Sequence, residues 1–390
     1  MGAIYHEAQV TLIAAAGTDA TYGLPGLTQD LKNPCSCTVS RTVRQFHTKG
    51  SAIQSIIDST WYTRGWTFQE GFMSRRRMYF TDVGVLYVCD EDRHSASLVN
   101  IAASLRNTSE SSSFRDNEQI MREYTRRNLT HDHDALNAIV GALETQSKYH
   151  IWGVIISQNI DGTCVFLHWR HSSPVPRREE FPSWSPIGWR GQVDYSHHKP
   201  PFSYDCRIEI WQDGNYRPPA QRFTVSRRSN HIAGGQQSKF LKVTATMVML
   251  EFEYIKDRHR ANLYAKVAYS STLYLYVLPS WDTDLAVKSG PGKRNIRLPC
   301  VMIRLQRRTT WGKDARPTFA NEMQALILKQ HDAYYERVGC FSWDEDITKT
   351  FARDQQGQEF VHHELRHQLR EHGNGTFWLR DGFRTTFLLG

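Results

Sequence analysis

The sequence predicts an α+β protein: a mixed helix-and-strand first region, a helical link, and a β-rich second region. Three observations carry this. Helix-period apolar spacing is confined to the residues before 150. From Ile151 onward the apolar runs are short or alternating, as strands are. The stretches between those later runs are long and rich in turn-forming residues. The chain has 390 residues, 40% of them apolar and 12% aromatic, which suffices for more than one packed core and excludes fibrous and wholly disordered classes.

In order along the chain, residues 8–16 (AQVTLIAAA) predict a short buried strand. Leu24-Pro25-Gly26-Leu27 predicts a type II turn, Pro presetting φ and Gly supplying a positive one. Residues 28–50 read as polar and irregular. Ser51 to Ser74 reads as helix in two pieces. Ile53, Ile56 and Ile57 stripe the first. In the second, Trp61, Gly65, Phe68 and Phe72 share one face, and Trp66, Glu70 and Met73 lie roughly opposite. A helix apolar on both sides is sandwiched, so Glu70 points into a crowded, partly apolar place. Arg76–Thr81 and Val85–Cys89 predict a strand pair turning near Asp82-Val83-Gly84.

Ser95–Asp116 reads as a polar linker and Glu118–Arg127 as a helix. Thr130 is the expected N-cap of a second helix, with Asp132 and Asp134 in its first turn and Leu136, Ile139, Val140 and Leu143 on one face. Strands are then expected at 163–169, 191–195, 240–250, 262–268, 272–278, 298–305, 324–329, 335–341 and 376–389, and a late helix at Gln358–His372. The second region is expected to be a sandwich or barrel. Residues 171–186, 207–238 and 281–296 read as connections.

The formal net charge is +8. The basic residues come as pairs (Arg126-Arg127, Arg177-Arg178, Arg227-Arg228, Arg307-Arg308) and one triplet, Arg75 to Arg77, read here as solvated charge. No Lys/Arg cluster interleaves with aromatics, so no nucleic-acid partner is expected. The strongest apolar run, Thr272–Pro279, is strand-length, so no membrane span is expected. Seven cysteines (Cys35, Cys37, Cys89, Cys164, Cys206, Cys300, Cys340) are too few and odd for a disulfide framework. With no basic-then-apolar leader after Met1, a cytoplasmic location is expected, and the Asn-x-Ser/Thr triplets at Asn107, Asn128 and Asn374 read as chance matches.

Other chemistry-bearing patterns have plainer readings. His131-Asp132-His133-Asp134 has metal-ligand character, but Asp beside a helix start is explained by the macrodipole, so no metal is expected. Cys35-Ser36-Cys37 is neither a redox pair nor half of a zinc finger. His197, His198, His362, His363, His367 and His372 read as exposed. Trp184, within Phe181-Pro182-Ser183-Trp184-Ser185-Pro186, reads as a packing anchor. Walker A, G-x-G-x-x-G, G-x-S-x-G and H-E-x-x-H patterns do not occur.

One segment is more specific: Trp61-Tyr62-Thr63-Arg64-Gly65-Trp66-Thr67-Phe68-Gln69-Glu70, followed by Ser74-Arg75-Arg76-Arg77 and Phe80. With Ile4-Tyr5, Ala8, Thr11-Leu12-Ile13-Ala14 and Gly23-Leu24, it resembles the C-terminal half of the fungal heterokaryon incompatibility (HET) domain. Tyr124-Thr125, Arg127, Leu129-Thr130, Asp134-Ala135-Leu136, Ala138, Gly141, Pro182-Ser183-Trp184-Ser185 and Arg337-Val338-Gly339 are similar to stretches that follow the domain in longer members. The resemblance divides the chain into 1–94, the half HET domain; 95–150, a polar linker and helical pair; and 151–390, a β-rich domain of unassigned role. HET domains begin with further strands that have no counterpart here, so the resemblance implies an N-terminally truncated chain.

The resemblance implies fungal non-self recognition and programmed cell death signalling. It implies protein partners, through self-association or other incompatibility proteins. HET domains are in turn distantly similar to TIR domains, whose enzymes cleave the nicotinamide–ribose bond of NAD with a helical Glu. Trp66-Thr67-Phe68-Gln69-Glu70 has the W-x-x-x-E spacing of many of them. On that implication Glu70 is the catalytic candidate, Arg64, Trp66, Gln69 and Arg75 line the substrate side, and NAD is a substrate with no cofactor required. A carboxylate suits an oxocarbenium-like transition state, and a partly apolar setting raises its pKa. The structural alternative is a Glu70 that bonds Arg64, Arg75 or backbone amides and only holds the domain together. A chain without the first strands would then be an inactive fragment or scaffold.

Overall fold

A computed structural model gives the fold, and it describes residues 2–28, 30, 36–39, 42–45, 49–89, 113–146, 150–159, 162–165, 167–195, 206–212, 215–217, 238–256, 261–268, 271, 273–283, 295–311, 317–343, 350–360 and 380–390. The chain is α+β and forms two compact units, residues 1–153 with 190–193, and residues 154–189 with 194–390.

The first unit runs α1 (Gly2–Glu7), β1 (Thr11–Ala14), β2 (Ser36–Val39), β3 (Thr42–Gln45), α2 (Lys49–Ile57), α3 (Thr60–Thr63), α4 (Thr67–Met73), β4 (Arg76–Thr81), β5 (Gly84–Cys89), α5 (Ser113–Thr125), α6 (Asn137–Gln146) and β6 (His150–Ile151). Its sheet has the order β1-β4-β5. β1 lies parallel to β4, from Thr11 opposite Arg77 to Ala14 opposite Phe80, and β5 returns antiparallel. A parallel pair needs a crossover, and α2 to α4 supply it. Ile13, Tyr79 and Val88 from the strands meet Ile56, Trp61 and Tyr62 from the helices in one core. α4 packs on α1 and α6, and α5 packs on α6.

The pair at 76–89 is present where the pattern placed it, as is the turn at Leu24: Leu27 N–H donates to Leu24 O at 3.1 Å and Gly26 has φ 85°. The strand expected as buried over 8–16 is shorter, Thr11–Ala14, and only Ile13 of it is buried, where it meets the helices. Four features differ from the pattern. The second helical piece is broken into α3 and α4, because Arg64 is extended at the end of α3. Residues 28–50 contain the hairpin β2–β3. Thr130 is not a cap: a 3₁₀ turn over Asp132–Ala135 comes first, with His131 in the cap position, and α6 starts at Asn137. The basic triplet is not uniformly solvated either. Arg75 precedes β4 and is exposed; within β4, strand alternation leaves Arg76 half-exposed but turns Arg77 inward beside Tyr79, both at 0% exposure.

The second unit contains β7 (Val154–Asn159), β8 (Gly162–Val165), β9 (Arg170–His171), the Asp194 end of β10 (Val193–Asp194), β11 (Arg207–Gln212), β12 (Asn215–Arg217), β13 (Leu241–Lys256), β14 (Ala261–Ala268), β15 (Leu273–Val277), β16 (Ser280–Trp281), β17 (Ile296–Trp311), β18 (Pro317–Gln330), β19 (Tyr335–Trp343), β20 (Thr350–Asp354), β21 (Glu359–Phe360) and β22 (Phe383–Leu389). β13 organises the main sheet, whose path is β16-β19-β18-β17-β13-β14-β15-β20-β21. β22 pairs with β13 along Leu241–Met247 and touches β19 at Tyr335, so β13, β17, β18, β19 and β22 return on themselves as barrel strands do. Phe252, Leu263, Leu275, Ile327 and Phe341 fill the interior.

The expected strands from 240 to 341 are all there; the 207–238 stretch read as a connection holds β11 and β12. The late helix is corrected where it can be seen: Glu359–Phe360 is a strand, and residues 361–372 lie outside the described residues, with His197 and His198.

A second core of this unit is built on tryptophan. Trp169, Trp184 and Trp189 are all at 0% exposure. Their indole N–H groups donate to Trp184 O at 3.2 Å, Lys239 O at 3.0 Å and Ser183 O at 2.8 Å. Arg337, also at 0% exposure, stacks over the Trp169 ring, pairs with buried Asp282 at 2.8 Å and donates to the carbonyls of Leu167 and Trp169. The guanidinium therefore has both its charge and its donors answered, which a buried charge requires. Trp184 is a packing anchor, as its Pro-flanked segment implied. Arg178 is buried as well, donating to Ile187 O and Trp189 O, and Arg177 is half-buried over the Trp189 ring, so this arginine pair too is not solvated.

Candidate functional site

The motif around Glu70 owes its shape to the helix break. Ser59 caps α3, its Oγ accepting from Tyr62 N–H at 3.1 Å. After Arg64 the backbone meets Asn128: Asn128 N–H donates to Thr63 O at 2.6 Å, and Gly65 N–H donates to Asn128 O at 2.7 Å. Gly65 is needed for this approach, since a Cβ there would fall well inside van der Waals contact of Leu129. Thr67 Oγ1 then ties α4 back to the carbonyls of Trp61, at 2.5 Å, and Arg64, at 2.7 Å.

Glu70 sits in the first turn of α4, half-buried. Trp61 Nε1 donates to its Oε1 at 3.2 Å. Burial raises the carboxyl pKa, opposed by the Trp61 hydrogen bond and by the positive charge of Arg64. Tyr5 on α1 lies near enough that burial first, and the Glu70 charge second, raise its phenol pKa. The structure thus gathers Glu70, Trp61 and Tyr5, with Arg64 acting through charge. What this cluster offers chemically is a carboxyl held partly out of water, with an indole fixing one oxygen.

The other motif residues are placed differently. Trp66 donates through Nε1 to Asp134 Oδ2 at 3.0 Å. Gln69 is buried and donates to Asn137 O, with Gly141 leaving room for its amide. Arg75 is exposed. Asp132 pairs with Arg190 at 2.5 Å, and the rings of His131 and His133 stack at 5.4 Å between centroids. Those two aspartates therefore serve an ion pair and an indole, and no group of three or more metal-type ligands occurs among the described residues.

Behind the motif lies a buried polar group that the sequence pattern did not single out. Arg127 is 5% exposed. Its guanidinium stacks over Tyr62, 4.3 Å from the ring centroid, and over Phe68 at 5.0 Å, and donates to Arg64 O at 3.3 Å and Thr67 Oγ1 at 3.2 Å. Glu123, 2% exposed, accepts from the Tyr62 hydroxyl at 2.8 Å and pairs with Arg126 at 3.3 Å. Burial lowers the Arg127 pKa to about 10 and, with the nearby Glu123 charge, raises that of Tyr62 to about 12. Glu123 and Tyr124 stand in the last turn of α5, and Arg127 follows two residues past its end, its N–H donating to Tyr124 O at 2.9 Å.

Residues 1–70 match the family model described as heterokaryon incompatibility protein (HET). Within the matched residues the strand, the helix break and the half-buried carboxyl described above belong to one packed unit. No curated protein and no solved structure gives a match. No helix among the described residues is long and apolar enough to cross a membrane, which says nothing of β-barrels. Among the described residues Cys89, Cys206, Cys300 and Cys340 are free thiols.

Proposed function

We propose that this chain is a heterokaryon-incompatibility-type protein acting in fungal non-self recognition and the programmed cell death that follows it. The observation that supports this is the HET match over residues 1–70, falling on a segment that folds as part of one unit with its own core. The cytoplasm is the matching location and other proteins the matching partners. The test is induced expression of the full chain in a filamentous fungus, with viability scored. Death at levels where an unrelated protein is tolerated supports the reading, and normal growth refutes it.

A second reading is favoured by the state of Glu70. A HET domain's distant similarity to TIR enzymes makes NAD the substrate, and Glu70 then works as the carboxylate beside the ribose. The C1′–N bond to nicotinamide breaks, Glu70 stabilises the positive charge that develops on the sugar, and water supplies the oxygen that closes C1′. Its raised pKa suits taking up the proton that water sheds. Tyr5 and Trp61 would line the pocket, Trp61 by holding the carboxyl in one orientation. NAD loss measured with the parent chain and with Glu70→Gln decides. Equal loss in both, or none in the parent, ends the catalytic assignment and leaves a scaffold in which Glu70 is structural.

A further inference from the structure

β13 changes partner along one of its sides. Met247 pairs with Val301 of β17 and with Phe383 of β22, and Glu251 pairs with Arg297 of β17 and with Lys266 of β14, so β22 and β14 share the side opposite β17. β22 ends its pairing at Met247 and β14 begins at Glu251. The buried positions of β13 shift by one at the same place, from Val243, Ala245 and Met247 to Val248, Leu250 and Phe252. The strand thus turns its inward face over between two partners that do not meet. A groove of about 440 Å³ opens at this split, within the roughly 300–1,000 Å³ range of small-ligand sites. Val248 and Leu250 line it although their side chains belong to the core, so they offer it main chain. Met249, 43% exposed, and Phe383, 53% exposed, give it an apolar surface. The inner charges answer one another: Lys266 Nζ lies 2.7 Å from Glu253 and 3.7 Å from Glu251, whose other oxygen accepts from Asn295 at 2.8 Å. Two exposed charges remain, Arg297 on the β17 side and Asp381, just before β22, on the other. Neither has an ion pair among the described residues.

We propose that this groove binds a short peptide with free termini, its carboxylate on Arg297 and its ammonium on Asp381. Charge selects the ligand. A polyanion would meet Glu251 and Asp381, and a polycation would meet Lys266 and Arg297, whereas a zwitterion finds an opposite charge at each wall. The walls flank β13 and so stand two strand spacings apart, about 10 Å. An extended tripeptide spans that distance at about 3.3–3.6 Å per residue. Met249 and Phe383 suit an apolar side chain on the peptide. The main chain of Val248 to Leu250 supplies donors and acceptors for its amides. The site lies wholly in the second unit and uses no residue of the Glu70 cluster, so its failure leaves both functional readings above standing, and the reverse.

Isothermal titration calorimetry of the full chain with the tripeptide Ala-Leu-Ala tests it. One saturable site is expected. Acetylating the amine or amidating the carboxylate is each expected to weaken binding by about five- to ten-fold, as losing a charge-assisted contact does. Asp381→Asn is expected to remove the penalty for acetylation and keep that for amidation, and Arg297→Gln the reverse. Both side chains are exposed, so both variants are expected to keep the parent's circular dichroism spectrum. Should either not fold, the capped peptides measured against the parent decide alone. A parent with no saturable binding overturns the proposal. So does equal affinity for the free and doubly capped tripeptide, which would assign the groove to an internal chain segment. Penalties that persist unchanged in both folded variants place the peptide elsewhere and overturn it as well.

Discussion

Glu70 and Arg127 feel the same force with opposite sign. Burial disfavours charge, so the acid's pKa rises and the base's falls. For Glu70 the consequence is a pH-dependent cost. Its folded pKa lies above the ordinary value of 4.5, so the neutral carboxyl's contribution to stability is complete below about pH 4.5 and is lost as pH rises through the folded value. Ionising this half-buried group as the pH rises therefore costs the fold stability. Glu70→Gln keeps an acceptor for Trp61 and removes that charge, so its melting temperature is expected to exceed the parent's near neutral pH and to converge on it in acid. Thermal melts at the two pH values check this, and a lower melting temperature at neutral pH would make the carboxylate a net stabiliser. Arg127→Ala is expected to cost about 2–3 kcal/mol in urea unfolding, because it removes the stack on Tyr62 and Phe68 and the hydrogen bonds to Arg64 O and Thr67 Oγ1, while Glu123 keeps Arg126 and the Tyr62 hydroxyl. Arg127→Lys is expected to restore little of this, since an ammonium does not replace the planar stack on Tyr62 and Phe68. The crowded setting of Glu70 was legible in the sequence, because i, i+4 spacing on an apolar helix leaves few places for a carboxyl to go. The burial of Arg77 and Arg127 was not. Paired arginines read as solvated charge, and only alternation with Tyr79, or the turn that Arg127 closes on Tyr124, separates one member from its neighbour.

Among elements, the break between α3 and α4 has the largest consequence. An unbroken helix would carry Trp61, Gly65 and Phe68 on one continuous face. The extended Arg64 instead lets the Asn128 strip hydrogen-bond across the gap and aims Trp61 Nε1 back at Glu70. Gly65→Ala is expected to destabilise the first unit by about 1–3 kcal/mol through overpacking against Leu129. Adding Leu129→Ala is expected to recover part of that loss, which a double-mutant cycle in urea measures. No recovery would place the strain elsewhere. Strands β4, β5, β13 to β15 and β17 to β19 were readable because alternation or an apolar run is a local property; the two-residue β16 falls where no strand was expected. The α3–α4 break and the start of α6 were not, since both depend on partners distant in sequence: Asn128 for the first, and for the second Arg190 and Trp66, which hold Asp132 and Asp134.

At the scale of the molecule, the two units have different kinds of core. The first is a small βαβ layer whose polar interior is threaded by Arg77, Arg127 and Glu123. The second is an extensive antiparallel sheet whose interior is aliphatic, with a tryptophan-and-arginine cluster of its own. The HET match falls wholly in the first. Fold class was readable because composition and periodicity change character near Ile151; the role of the β-rich unit was not, since its strands carry packing residues rather than a recognisable site. The proposed incompatibility-type death signal is tested by fungal viability after induced expression of the full chain, at protein levels confirmed by blotting. Loss of viability relative to an equally expressed unrelated protein is expected. Normal growth at matched levels would contradict it.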